Sequence, residues 1–155
     1  MSRGEPASPQ SGWLLALRVY LAVSLGLNLL WETVHLPLYT IWTTGSFREK
    51  AFAVIHCTIG DAMIAGLALL VALAVAGSYD WPFRRGQLVF AVTLVLGIAY
   101  TIYSEWMNTI VRQSWAYSPL MPVLPKTGTG LSPLLQWLVV PAVALSVATR
   151  RRRRP

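Results

Sequence analysis

Four apolar runs dominate this chain, at residues 13–36, 51–76, 87–108 and 131–149. Each is long enough to cross a bilayer, whose hydrocarbon core takes roughly 20 helical residues. Apolar residues follow one another in these runs instead of returning every third or fourth position, the pattern of a helix that meets lipid. Composition agrees: 55% of the 155 residues are hydrophobic and 12% are charged, the latter about half the share in a soluble protein. The expected fold is all-α, a polytopic membrane protein made as a four-transmembrane-helix bundle over residues 11–149. A disordered polar tail at 1–10 precedes it and a basic tail at 150–155 follows.

The first run is too long for the apolar part of a secretory signal, roughly 7–15 residues, and no small-residue cleavage site follows it, so it reads as a mature helix. Pro37 closes that run, and Gly77 and Pro82 frame the turn between the second and third. Ser132-Pro133 has the form of a cap and first position for the fourth, in which Pro141 should introduce a kink. The Thr109–Gly130 stretch is apolar for a loop, carrying Trp115, Tyr117, Leu120, Met121 and three prolines, and is expected in the headgroup zone or over the helix ends. Trp42, Trp106 and Trp115 would form the outer aromatic belt, with Trp13 and Trp81 on the inner side.

The thirteen basic residues set an orientation. Nine fall on the side of the termini and the 77–86 turn: Arg3, Arg18, Arg84, Arg85 and the run 150–154. Four fall opposite: Arg48, Lys50, Arg112 and Lys126. The positive-inside bias then expects both termini in the cytoplasm, and the expected location is a bacterial inner (plasma) membrane. The 150–154 run reads as a topology anchor beside anionic lipid, and nucleic acid is not an expected partner. Neither an internal repeat nor a GxxxG pair within a span argues for an inverted-repeat transporter or a particular dimer interface.

Placement of polar groups inside the spans carries the functional information. Asn28, Glu32 and His35 are separated by four and three residues and share one helical face; Thr101, Glu105 and Asn108 repeat that spacing in the third span. The second span contributes His56 and Asp61, and the fourth Gln136. All lie in the half of the membrane away from the termini. Asp61, about 15 Å into its helix, would cost roughly 2.5–3.5 kcal/mol if left to lipid, so it must face the bundle and find a partner or hold a proton. His56 lies five residues earlier, about 140° around the helix, and is not stacked on Asp61. For each residue there is a structural alternative: interfacial solvation for Glu32, His35 and Asn108, interhelical hydrogen bonding for Asn28 and Gln136, and a buried pair for His56 with Asp61. Cys57, the single cysteine, reads as a small buried apolar residue.

Three chemistries use such a set. An acid–base enzyme acting on a lipid or isoprenoid would take its catalytic groups from Glu32, His35, His56, Asp61 and Glu105, with Asp61 or Glu105 as acid and His35 or His56 as base. Asn28, Trp106, Asn108, Trp115, Tyr117 and Gln136 would bind substrate, the aromatic faces stabilising a developing cation. A metal or haem protein would draw on Glu32, His35 and His56, although the Glu-x-x-His spacing of carboxylate-bridged metal sites occurs once here and those sites use it twice. A proton or cation path is the third, but the halves of the spans nearer the termini offer only Arg18, Ser24 and Thr93 as a lining. No nucleophile triad or nucleotide-binding loop is present, and the sequence specifies no cofactor and no oligomeric state. The expected partners are membrane lipids and a lipophilic small molecule. In its parts list, acids, histidines and tryptophans in a small helical bundle, the chain is similar to membrane sterol isomerases of the emopamil-binding type; no motif matches in order and no residue is carried across.

Overall fold

A computed structural model describes residues 9–77, 81–82 and 84–150. In chain order these form α1 (Pro9–His35), a 3-10 turn (Leu36–Leu38), the short α2 (Ile41–Thr44), α3 (Phe47–Ala76), α4 (Gly86–Trp106) continued by a π-helical turn (Met107–Val111), and α5 (Leu131–Arg150). Four of these stretches are long and apolar enough to cross a membrane, at Gly12–Leu38, Phe47–Ala76, Gly86–Val111 and Leu131–Arg150. The protein is an all-α bundle of four such helices. Of the two expected tails, residues 1–8 and 151–155 lie outside the described residues.

Local chemistry sets the helix ends. Pro37 cannot continue the ladder of α1, and the chain tightens into the 3-10 turn at that point. α3 begins four residues before the expected 51 because Ser46 and Glu49 form a capping box. The Ser46 side chain accepts the Glu49 N–H at 3.4 Å and the Glu49 carboxylate accepts the Ser46 N–H at 2.7 Å. The other end of α3 closes on Gly77, whose left-handed conformation (φ 56°) favours glycine. α5 runs unbroken through Pro141.

Packing is cyclic: α1 lies against α3 and α5, and α4 lies against the same two helices. Near the termini the bundle is closed by an apolar core built from Ala16 and Tyr20 of α1, Leu69, Ala72 and Ala76 of α3, Val89 of α4, and Ala144, Leu145 and Ala148 of α5. Small residues at three- and four-residue spacing on α3 and α5 let the backbones approach closely, which lipid-facing helices need because apolar side chains gain little from leaving lipid. Large side chains such as Leu30, Val34, Met63 and Val95 point outward instead. Trp81 does not sit in an aromatic belt; it is buried in this core. At Gly97 a Cβ atom would lie 2.1 Å from the Trp137 ring, so the glycine is what admits that indole between α4 and α5.

The stretch between α4 and α5 folds back over the helix ends. Thr40 and Ser118 donate their N–H groups to the carbonyls of Ala116 and Leu38, each at 2.9 Å, and Ser118 Oγ reaches the Pro37 carbonyl at 3.1 Å. These bonds tie the segment to the α1–α2 connection and lower Tyr117 into the bundle.

Candidate functional site

Two helices present straight polar ladders to the interior. On α1, Tyr20, Ser24, Asn28, Glu32 and His35 follow one another by four, four, four and three residues, and all are buried. On α4, Val89, Thr93, Gly97, Thr101 and Glu105 form the buried stripe. The hydroxyls of Thr93 and Thr101 are spent within α4, on the Val89 and Gly97 carbonyls at 2.8 and 2.9 Å. Among the described residues the carboxyls and histidines gather at the end of the bundle away from the termini, where the helices surround a cavity of about 1050 Å³.

Glu32, His35, His56, Asp61 and Glu105 all line this one cavity, as do Asn108, Trp115 and Gln136. At its centre the Gln136 amide nitrogen lies 2.8 Å from Asp61 Oδ2, 3.0 Å from Glu32 Oε1 and 3.1 Å from Asn28 Oδ1. An amide carries two N–H donors, and here three oxygens compete for them. The Glu32 and Asp61 carboxyls adjoin one another beside that amide. The other Glu32 oxygen lies 3.1 Å from His35 Nε2, forming a buried Glu/His pair. His35 Nδ1 in turn meets Ser132 Oγ at 3.0 Å, and Ser132 Oγ accepts the Trp31 indole N–H at 3.1 Å. Both ring nitrogens of His35 are thus engaged, with the Tyr39 ring against its edge at 5.3 Å. Ser132, expected as a cap, sits in the first turn of α5 and serves this network instead.

Glu105 faces the same space from α4. The Tyr117 hydroxyl donates to its Oε2 and accepts the Gly130 N–H at 2.9 Å. The Trp115 indole N–H lies close to the same carboxyl but closes no hydrogen bond among the described residues. Burial, with the hydrogen bond to Glu105 next, pushes the Tyr117 phenol well above its ordinary value; burial, with the charge of Glu105 next, does the same for Tyr39. Both phenols stay protonated at neutral pH, so Tyr117 is a fixed donor to Glu105.

Some expected members take other places. Asn28 is buried beneath the cavity, where it meets Gln136. Tyr117 stands behind Glu105. Trp106 is 47% exposed and packs near Tyr103 on the outer surface, because it is one residue, about 100°, from Glu105 around the helix. Trp115 leaves the expected belt for the cavity wall. His56 is exposed and stacked on Phe52 with centroids 5.4 Å apart, and the pair it might have made with Asp61 is replaced by Asp61 with Gln136. Among the described residues no group of three or more His, Cys, Asp or Glu side chains is arranged to hold a metal ion, so Glu32, His35 and His56 do not converge as ligands.

Cys57 is the residue whose reading changes most. It lies on the cavity wall near Glu32, Asp61 and Glu105 instead of packing as a small apolar side chain. Its spacing of four residues from Asp61, like that of Ser132 from Gln136, places each on the face of a site residue. Comparison with protein-family models, curated proteins and solved structures finds no match to this chain.

Proposed function

We propose that the cavity is an intramembrane acid–base site acting on a lipophilic substrate of the lipid or isoprenoid class. The observation that carries this reading is the meeting of Glu32, Asp61 and Glu105 on one cavity, with His35 on its wall bonded to Glu32. In this reading a proton shared by Glu32 and Asp61 relieves the shortage of donors at Gln136, because the amide then has fewer lone pairs to satisfy. That proton is delivered to an alkene or epoxide of the substrate, and the developing cation is met by the faces of Trp115 and Trp137. Glu105, oriented by Tyr117, removes a proton from the adjacent carbon and completes an isomerisation with no net change in protons. Turnover is completed when Glu105 releases its proton to solvent at the cavity mouth and the Glu32–Asp61 pair takes one up there; His35, both of whose nitrogens are engaged by the protein, orients Glu32 and does not act on the substrate.

Catalysis is favoured over conduction by the closure of the bundle toward the termini, where the core is apolar and the Thr93 hydroxyl is bonded to its own helix. The excess of basic residues near the termini supports a cytoplasmic location for both and an outer-leaflet cavity in a bacterial inner membrane.

The test is proton exchange into carbon. The protein in nanodiscs is incubated in deuterated buffer with an extract of apolar membrane lipids, and the lipids are analysed by mass spectrometry. Wild type should introduce deuterium at carbon into a discrete lipid species, with at least a roughly hundredfold loss in Glu32→Gln, Asp61→Asn and Glu105→Gln, the scale of a removed acid or base. If no lipid gains deuterium, or the variants match wild type, the acid–base reading is wrong.

A further inference from the structure

The cavity has a cationic rim that the acid–base chemistry does not use. Arg48, in the first turn of α3, and Arg112, just past the π-helical turn, both line it and both are exposed. Among the described residues neither guanidinium has a hydrogen-bond or ion-pair partner, whereas the Lys50 ammonium, nearby on α3, is stacked over Trp42 at 5.0 Å. The carboxylate at this rim is Glu49, and it is engaged by the Ser46 N–H and hydroxyl of the capping box, each at 2.7 Å. Asn108 and Ser114 also face this end of the cavity. Further in, the walls change character: Ile64, Tyr100 and Trp137 line the part beyond the carboxyls. Along the helix axes, Arg112 stands about 10 Å from Glu105 and Arg48 about 20 Å from Asp61, at 1.5 Å per residue.

From this gradient we infer that the ligand is a single-chain amphiphile with an anionic head, a phosphate or a carboxylate, held by Arg48 and Arg112 while its apolar chain runs past Glu32, Asp61 and Glu105 toward Tyr100 and Ile64. A guanidinium presents a planar set of donors suited to such oxyanions. At the membrane interface an arginine can reach headgroup level while its stem stays on apolar surface. The inference rests on the reading that the cavity takes a lipophilic substrate, and it adds the chemistry of the head and the direction in which the chain lies.

Binding is measured on the full chain in a neutral detergent, using tryptophan fluorescence, with farnesyl phosphate, farnesol and inorganic phosphate as probes. Farnesyl phosphate should bind roughly tenfold more tightly than farnesol, the scale of two exposed charge contacts, and the difference should shrink as salt is raised. Arg48→Gln with Arg112→Gln should abolish the difference while farnesol binding stays as in wild type, and the double lysine variant should keep part of it. Farnesol as good as farnesyl phosphate, or an unchanged preference in the double glutamine variant, overturns the inference. Inorganic phosphate competing at the affinity of farnesyl phosphate also overturns it, because the site would then be an ion site that ignores the chain. A failure of the acid–base chemistry is read separately: the deuterium experiment would then show no exchange into carbon while the preference for farnesyl phosphate, and its loss in the double glutamine variant, still stand.

Discussion

Gln136 is the residue on which the site turns, because one amide nitrogen serves side chains from α1 and α3 while its own backbone belongs to α5. Replacing it by leucine keeps the bulk and removes the donor, leaving two adjoining carboxyls and Asn28 without it. Gln136→Leu should lose about 2 kcal/mol of stability, the sum of a few modest intramembrane hydrogen bonds, read by unfolding in a denaturing detergent; a change within error would show that the amide is not a structural tie. Tyr117 gives a pH-dependent counterpart. Its phenol is raised in the folded protein, so folding favours the protonated form. The stabilisation is complete below the ordinary phenol value of about 10 and is lost progressively above it. The unfolding midpoint should be level from neutral pH to about 9 and fall beyond about 10, with a shallower fall in Tyr117→Phe, which itself should cost about 1 kcal/mol at neutral pH. An identical alkaline slope in the variant would remove Tyr117 from that account. At this scale the sequence was informative about which polar residues share a helix face and uninformative about what each one meets. The spacing of Glu32 from His35 put them on one face of α1, but nothing in one helix indicates that the two bond to each other or that Gln136 stands opposite both Glu32 and Asp61. Trp106 stands on the outer surface, where an aromatic belt would place it, and not among the cavity residues, because adjacency to Glu105 in sequence is a rotation of about 100° on a helix.

At the scale of elements, the four crossings were legible because contact with lipid leaves apolar side chains on most of each helix surface, a signal that needs no tertiary information. Their ends were less so. The Ser46–Glu49 box extends α3 outward from its apolar run, and the π-helical turn carries α4 past Asn108 to Val111. How closely two helices approach was illegible for a different reason: a glycine inside a span has no visible partner until the facing side chain is known. Gly97 is such a case. Gly97→Ala places a methyl group in the Trp137 ring and should cost about 1–3 kcal/mol as overpacking. Combining it with Trp137→Leu should recover more than the sum of the single changes allows, because the two positions are in contact. Thermal unfolding in detergent of the two single variants and the double variant reads this directly; strictly additive losses would mean that α4 and α5 do not meet at that point.

For the molecule as a whole, the bundle is two-ended: an apolar, alanine-rich core toward the termini, and at the other end a cavity that collects the carboxyls of Glu32, Asp61 and Glu105, with Glu32 paired to His35 and Glu49 at the rim. An isolated charge at that depth is costly, and a carboxyl there is kept either by a partner or by a proton. We propose that Glu32 and Asp61 share one proton, since the Gln136 amide has too few donors for both carboxylates and Asn28 together. Infrared spectroscopy of the protein in detergent at neutral pH, comparing wild type with Glu32→Gln, Asp61→Asn and Glu49→Gln, measures this without knowledge of the substrate. A protonated carboxylic C=O band should be present in wild type, lost in Glu32→Gln and in Asp61→Asn, and retained in Glu49→Gln. A wild-type spectrum with no protonated carboxyl, or a band that survives both of the first two substitutions, would contradict it.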